Sequence, residues 1–140
     1  MKTFKFTLLI LPLLVFLSSC SKDNVVPVEE PQSLAGTFTV AETSTFPDGR
    51  TDRDEYVITI NQSATDKNYF EIANFAGLLK KKVQVSVDGD HFNIASQTFQ
   101  AGSSKITLAG SGTLLGTKLT FAYTVRGDFT WDANCVSDKR

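Results

Sequence analysis

From Leu34 onward the apolar positions of this chain recur with a period of two. Val83, Val85 and Val87 alternate with Gln84 and Ser86. Leu119, Phe121, Tyr123 and Val125 alternate with Thr120, Ala122, Thr124 and Arg126. Tyr56, Ile58 and Ile60 alternate with Val57, Thr59 and Asn61, and Ile106 and Leu108 with Lys105 and Thr107. Successive side chains of a strand point to opposite faces, so this pattern predicts strands with one buried and one wetter face. No 3.6-residue stripe competes with it. The segment from Asn74 to Lys82 is expected to form at most a short helical turn.

The breaks between the runs are turn sequences. Pro47-Asp48-Gly49, Asp66-Lys67-Asn68, Asp88-Gly89, Ala101-Gly102-Ser103 and Leu115-Gly116 each fall between two strand-like stretches. Asp-Gly between alternating runs is a hairpin signal, because the primed turns that suit twisted strands need a positive φ. Links this short exclude parallel crossovers, which need about a dozen residues or more. The expected fold is all-β, an antiparallel meander of about eight short strands closed into a lipocalin-like barrel; a two-layer β-sandwich is the alternative.

The first twenty residues read differently. Lys2 and Lys5 precede a short apolar run from Phe6 to Leu17, and small Ser18 and Ser19 come just before Cys20. A basic start, an apolar stretch and a small-residue site describe a secretory signal. The run falls short of the about 20 residues of a membrane-spanning helix. Leu17-Ser18-Ser19-Cys20 resembles the lipobox of bacterial lipoproteins. That resemblance implies a diacylglyceryl group on the Cys20 sulfur, cleavage just before Cys20 and acylation of the new amine. Ser21 in place of Asp implies, by analogy with lipoprotein sorting, the outer rather than the inner membrane. The expected organisation is a signal peptide over 1–19, a lipidated cysteine and tether over 20–33, and a single β-barrel domain over 34–140. The tether carries Pro27, Pro31, Glu29 and Glu30. Extended, its residues 21–33 span about 40 Å at roughly 3.3 Å each.

Composition narrows the partners. Loss of residues 1–19 removes Lys2 and Lys5 and no acid, taking the formal charge from −1 to −3. A mildly acidic chain offers no basic surface for nucleic acid. With the Cys20 sulfur lipidated, Cys135 is left alone. It continues the alternation of Phe129, Trp131 and Ala133, so burial as a small apolar side chain is its plain reading.

Candidate chemistry is sparse. His91, the single histidine, follows Asp88-Gly89-Asp90 and reads as a solvated turn residue; no nucleophile motif accompanies it. The acids Asp48, Asp52, Asp54 and Glu55 could serve calcium, but Arg50 and Arg53 interleave with them, so a solvated hairpin is expected. No metal site, no cofactor and no enzymatic activity are expected. Gly110-Ser111-Gly112 reads as a bulge or bend within a strand. Phe38, Phe70, Phe92, Phe99, Phe121, Tyr123, Phe129 and Trp131 read as core. The alternative for Trp131, Phe129 or Tyr69 is exposure as a sugar-stacking platform. Leu78 and Leu79, ahead of Lys80, Lys81 and Lys82, form a candidate contact tip.

Ile72-Ala73-Asn74-Phe75-Ala76-Gly77-Leu78, Gly110-Ser111-Gly112-Thr113 and Leu119 to Val125, with Cys135 near the end, resemble a group of small Bacteroidota lipoproteins to which lipocalin-like β domains are attributed. The resemblance implies a fold and an envelope location and brings no activity. Two readings stay open. In one, the barrel is a binding module for a small apolar molecule or a glycan, lined by Val85, Phe121, Tyr123 and Trp131. In the other, a filled β domain acts as an interaction or structural subunit of the envelope, with Leu78 and Leu79 as its contact.

Overall fold

Alternation becomes a closed wall. In the computed structural model, which describes residues 33–140, eight strands run in chain order: β1 (Gly36–Thr45), β2 (Thr51–Gln62), β3 (Tyr69–Ala73), β4 (Val83–Asp88), β5 (His91–Ala101), β6 (Ser104–Leu115), β7 (Lys118–Gly127) and β8 (Trp131–Lys139). Each pairs antiparallel with the next, and β8 returns to pair with β1 from Phe38↔Lys139 to Thr45↔Asp132. The all-β, lipocalin-like meander barrel is therefore the fold, and the sandwich alternative is not. The signal, the lipidated Cys20 and the tether up to residue 32 lie outside the described residues.

Strand length departs from expectation. β2 and β6 have 12 residues each and β5 has 11. Closing a sheet requires tilted strands, and a tilted strand must be longer to cross the same wall. The tight links do match. β5–β6 and β6–β7 turn through Gly102-Ser103 and Gly116-Thr117, with φ near +65° at each glycine. That conformation costs glycine little, which is why Gly stands first in both turns.

Inward positions hold the core. Phe38 and Val40 of β1, Ile58 and Ile60 of β2, Ile72 of β3, Val83 and Val85 of β4, and Leu119, Phe121, Tyr123 and Val125 of β7 are all buried. Phe92 and Ile94 face inward on β5, as does Phe99, although it has the opposite parity. A bulge reconciles them: the β5–β6 register shifts between Ile94↔Gly110 and Gln97↔Leu108, so Ala95 and Ser96 oppose Ala109 alone. One extra residue swaps the faces of everything beyond it. β4 pairs with β5 only from Ser86 to Asp88. Above that, the Gln97 side chain takes the place of a strand neighbour, donating to the Gln84 carbonyl at 2.6 Å and accepting from the Gln84 N–H at 3.0 Å.

The expected bulge at Gly110-Ser111-Gly112 is corrected. β6 runs in unbroken register with β7 there. These glycines instead make room. A Cβ on Gly112 would lie 2.5 Å from the Phe92 ring and from the Phe121 Cβ, and one on Gly110 would strike the Ala122 carbonyl oxygen.

Phe129 is also corrected. It lies in the β7–β8 loop and is 54% exposed, while Trp131 at the start of β8 is half-buried. A loop residue is not held to the pleat, so its parity places it on no face.

The two ends of the barrel differ. Leu34 and the start of β1 lie at one end, with the β2–β3, β4–β5 and β6–β7 links. The other end gathers the β1–β2 hairpin, the segment from Asn74 to Lys82, the β5–β6 turn and the β7–β8 loop.

Candidate functional site

The end away from Leu34 is the candidate site. It begins with the segment after β3. Phe75 to Gly77 forms a single 3-10 turn, and Asn74, Ala76 and Gly77 have φ of 57°, 57° and 64°. Alanine gains nothing from the left-handed region, so the turn holds its shape through what it buries. Phe75 is fully buried, its ring 4.8 Å from that of Tyr123 and 5.9 Å from that of Phe121. Asn74 Nδ2 donates to the Val57 carbonyl at 2.8 Å, fixing the turn to β2. The segment leans across the barrel end with Phe75 as its plug.

Beside this plug lies a cavity of about 520 Å³. Phe75, Leu79, Phe99, Ile106, Leu108 and Val125 give it apolar walls, Tyr123 and Trp131 border it, and Lys80 and Lys81 stand at its rim. The size falls within the range of about 300–1,000 Å³ usual for small-molecule sites. Two pairs of bonds hold the walls. The Lys105 N–H donates to Asp128 Oδ2 at 2.8 Å and the Asp128 N–H to the Lys105 carbonyl at 3.1 Å, tying the β7–β8 loop to β6. Arg126 donates to the Trp131 carbonyl at 3.0 Å and to Asp132 Oδ1 at 2.6 Å, setting the start of β8.

At the inner side of this end sits a carboxylate. Glu42 shares the inward phase of Phe38 and Val40 on β1 and is 7% exposed. Its Oε2 accepts from the Tyr56 hydroxyl at 2.5 Å and from the Tyr123 hydroxyl at 2.7 Å, and the Cys135 thiol approaches at 3.6 Å. Its Oε1 accepts from Ser44 Oγ at 2.6 Å. Hydrogen bonds to an ionised acceptor are about twice as strong as neutral ones, and here they replace the water the carboxylate has lost. The donors are kept protonated. Burial pushes the Tyr56 and Tyr123 hydroxyls and the Cys135 thiol well above their ordinary values, and Glu42 pushes all three further in the same direction. Trp131 Nε1 is buried without a hydrogen-bond partner; it lies near the Tyr123 hydroxyl and favours its ionised form without meeting hydrogen-bond geometry.

A second, smaller pocket of about 310 Å³ adjoins the first and shares Ala76, Leu78, Phe129 and Trp131 with it. Its other walls are Glu42, Ser44, Phe46, Asp52 and Asp54. The β1–β2 register explains the grouping: Glu42 faces Asp54 and Ser44 faces Asp52, and both aspartates share the inward phase of Tyr56 and Ile58 on β2. Arg50 stacks over the Phe46 ring at 4.8 Å, with its Nε 3.7 Å from Asp48.

The residues singled out from the sequence separate here. Tyr123 and Trp131 border the cavity, whereas Val85 and Phe121 belong to the packed core outside its lining. Leu78 is 71% exposed at the mouth and Leu79 is 6% exposed beneath it, so the pair is not one exposed tip. Tyr69 stands on β3, away from both pockets. His91 opens β5 at the opposite end, exposed, with Nε2 3.2 Å from Asp90. Sequence reasoning passed over Glu42, Ser44 and Tyr56. The signal available was phase: Glu42 and Ser44 continue the inward set of Phe38 and Val40.

No protein-family model, no curated protein and no solved structure matches the chain.

Proposed function

We propose that this chain is a lipid-anchored protein of the cell envelope, a non-enzymatic carrier whose barrel holds a small apolar molecule at the end away from Leu34. The observation that carries the reading is the cavity of about 520 Å³ walled by Phe75, Leu79, Phe99, Ile106, Leu108 and Val125. A barrel of eight strands is just wide enough either to be filled by its side chains or to hold one small ligand. The anchor rests on Leu17-Ser18-Ser19-Cys20 and on the tether that follows it.

The interaction-subunit reading needs an exposed apolar patch separate from any cavity. Leu78 and Phe129, exposed by 71% and 54%, both line the pockets, and this supports reading them as the rim of a mouth.

Native mass spectrometry of the chain carrying Cys20→Ala, purified without detergent and offered a lipid extract, tests the carrier. A one-to-one adduct is expected, and it should be lost in Val125→Phe, which fills the cavity, provided the far-ultraviolet circular dichroism is retained. A clean apo mass with every extract, or an adduct that survives Val125→Phe, would overturn the reading. Metabolic fatty-acid labelling that persists in Cys20→Ala would sink the anchor.

A further inference from the structure

The two adjoining pockets differ in chemistry, and the difference specifies a ligand. One is walled by apolar side chains. The other combines three carboxylates, Glu42, Asp52 and Asp54, with the aromatic rings of Phe46, Phe129 and Trp131. Glu42 is the informative member. It is 7% exposed, its bonds come from hydroxyls and a thiol, and no cation stands within ion-pair distance of it among the described residues. A carboxylate offers about four lone-pair sites. Oε2 is crowded by Tyr56, Tyr123 and Cys135, while Oε1 has Ser44 alone, and both Glu42 and Ser44 face the smaller pocket. Asp52 and Asp54 are likewise free of cationic partners among the described residues; each accepts only from the backbone N–H of the residue that follows it.

We infer that the mouth selects a cationic amphiphile, with its apolar body in the larger cavity and an alkylammonium head between Glu42, Asp52, Asp54 and the rings of Phe129 and Trp131. The inference rests on the carrier reading and adds the charge of the ligand. Three features favour an organic cation. Glu42, Asp52 and Asp54 line a pocket of about 310 Å³, which has room for an organic head group. Aromatic faces attract ammonium groups through the ring quadrupole. The Phe46 ring already carries the Arg50 guanidinium, so this wall accepts a cation within the chain itself. Lys80 and Lys81 do not reverse the preference. Both are exposed, so solvent screens them, whereas the field of buried Glu42 is screened far less.

The chain has a single tryptophan, Trp131, at the junction of the two pockets, so its fluorescence reports occupancy directly. The chain carrying Cys20→Ala is titrated with decyltrimethylammonium, decanol and decanoate, all below their aggregation limits, with calorimetry as a second readout. Saturable binding of decyltrimethylammonium is expected, about tenfold tighter than that of decanol and tighter still than that of decanoate. The exposed pair Asp52→Asn and Asp54→Asn should weaken the preference for the cation over decanol, with Glu42 holding the remainder. Decanol or decanoate binding as tightly as the cation, or a preference left unchanged by both substitutions, would overturn the charge assignment and leave the carrier standing. Saturation by none of the three would overturn the carrier and this inference together.

Discussion

Tyr123 Oη donates to Glu42 Oε2 at 2.7 Å, and the two residues stand on β7 and β1, which are not neighbours in the wall. The bond crosses the barrel interior. Backbone ladders fix each strand to the next, but only side chains such as these set the distance across the lumen. Tyr56 reaches the same oxygen from β2, so one carboxylate gathers three strands.

Removing one donor should show its worth. Tyr123→Phe keeps the ring and its contact with Phe75, and loses only the hydroxyl. A hydrogen bond to a charged group contributes about 1.5–3 kcal/mol, so urea unfolding should show a loss in that range. Tyr56→Phe should cost a similar amount. The double variant should depart from the sum, because both hydroxyls serve one oxygen. Additive losses would mean that the two bonds act independently.

Alkaline pH should destabilise the fold. The ordinary values are 9.0 for the thiol of Cys135 and 10.0 for the hydroxyls of Tyr56 and Tyr123, and burial raises all three in the folded chain. The unfolded chain therefore releases these protons first. Above about pH 9 the folded state holds more protons than the unfolded one, so stability is fully present below that pH and falls as pH rises. Melting temperatures measured from pH 7 to 11 should decline in that window. Tyr123→Phe should decline less steeply, by about 1.4 kcal/mol per pH unit for the one proton removed. Equal slopes would show that the hydroxyl titrates alike in both states.

Ala76 stands at φ 57° and ψ 18° in the turn that carries Phe75. The left-handed region costs a non-glycine residue about 1–2 kcal/mol, and glycine gives back part of the gain through a freer unfolded chain. Ala76→Gly should therefore stabilise the protein by about 0.5–1 kcal/mol in chemical denaturation. A loss of stability would mean that the Ala76 methyl contributes more to the mouth than its backbone costs.

Much of the wall was legible because a strand writes its two faces in alternate letters. Leu119, Phe121, Tyr123 and Val125 announce both the strand and its inward side, and the turn residues bound it. The β5 bulge was present too, as an odd spacing between Phe92 and Phe99, both expected in the core. What period two cannot convey is which inward side chains meet. Glu42 and Tyr123 are 81 positions apart, and their contact depends on how the closed wall curves. Nor does parity extend into loops: it placed Phe129 in the core, although nothing pleats the chain there. Volume was hidden for a related reason. Val85 and Phe121 carry the same inward signal as Val125, yet only Val125 borders the space left beside Phe75.

The seam between β1 and β8 sets the order of events when the chain folds. The first strand has a free edge until the last one arrives, and eight paired positions wait for β8, from Phe38↔Lys139 to Thr45↔Asp132. Contacts so distant in sequence form late, because the loop entropy must be met before they contribute. A nascent chain emerging with β1 first can zip hairpins one after another but cannot seal the lumen. The barrel therefore matures only after β8 has been released, and a chain stopped before Trp131 keeps two open edges with no means of closing them.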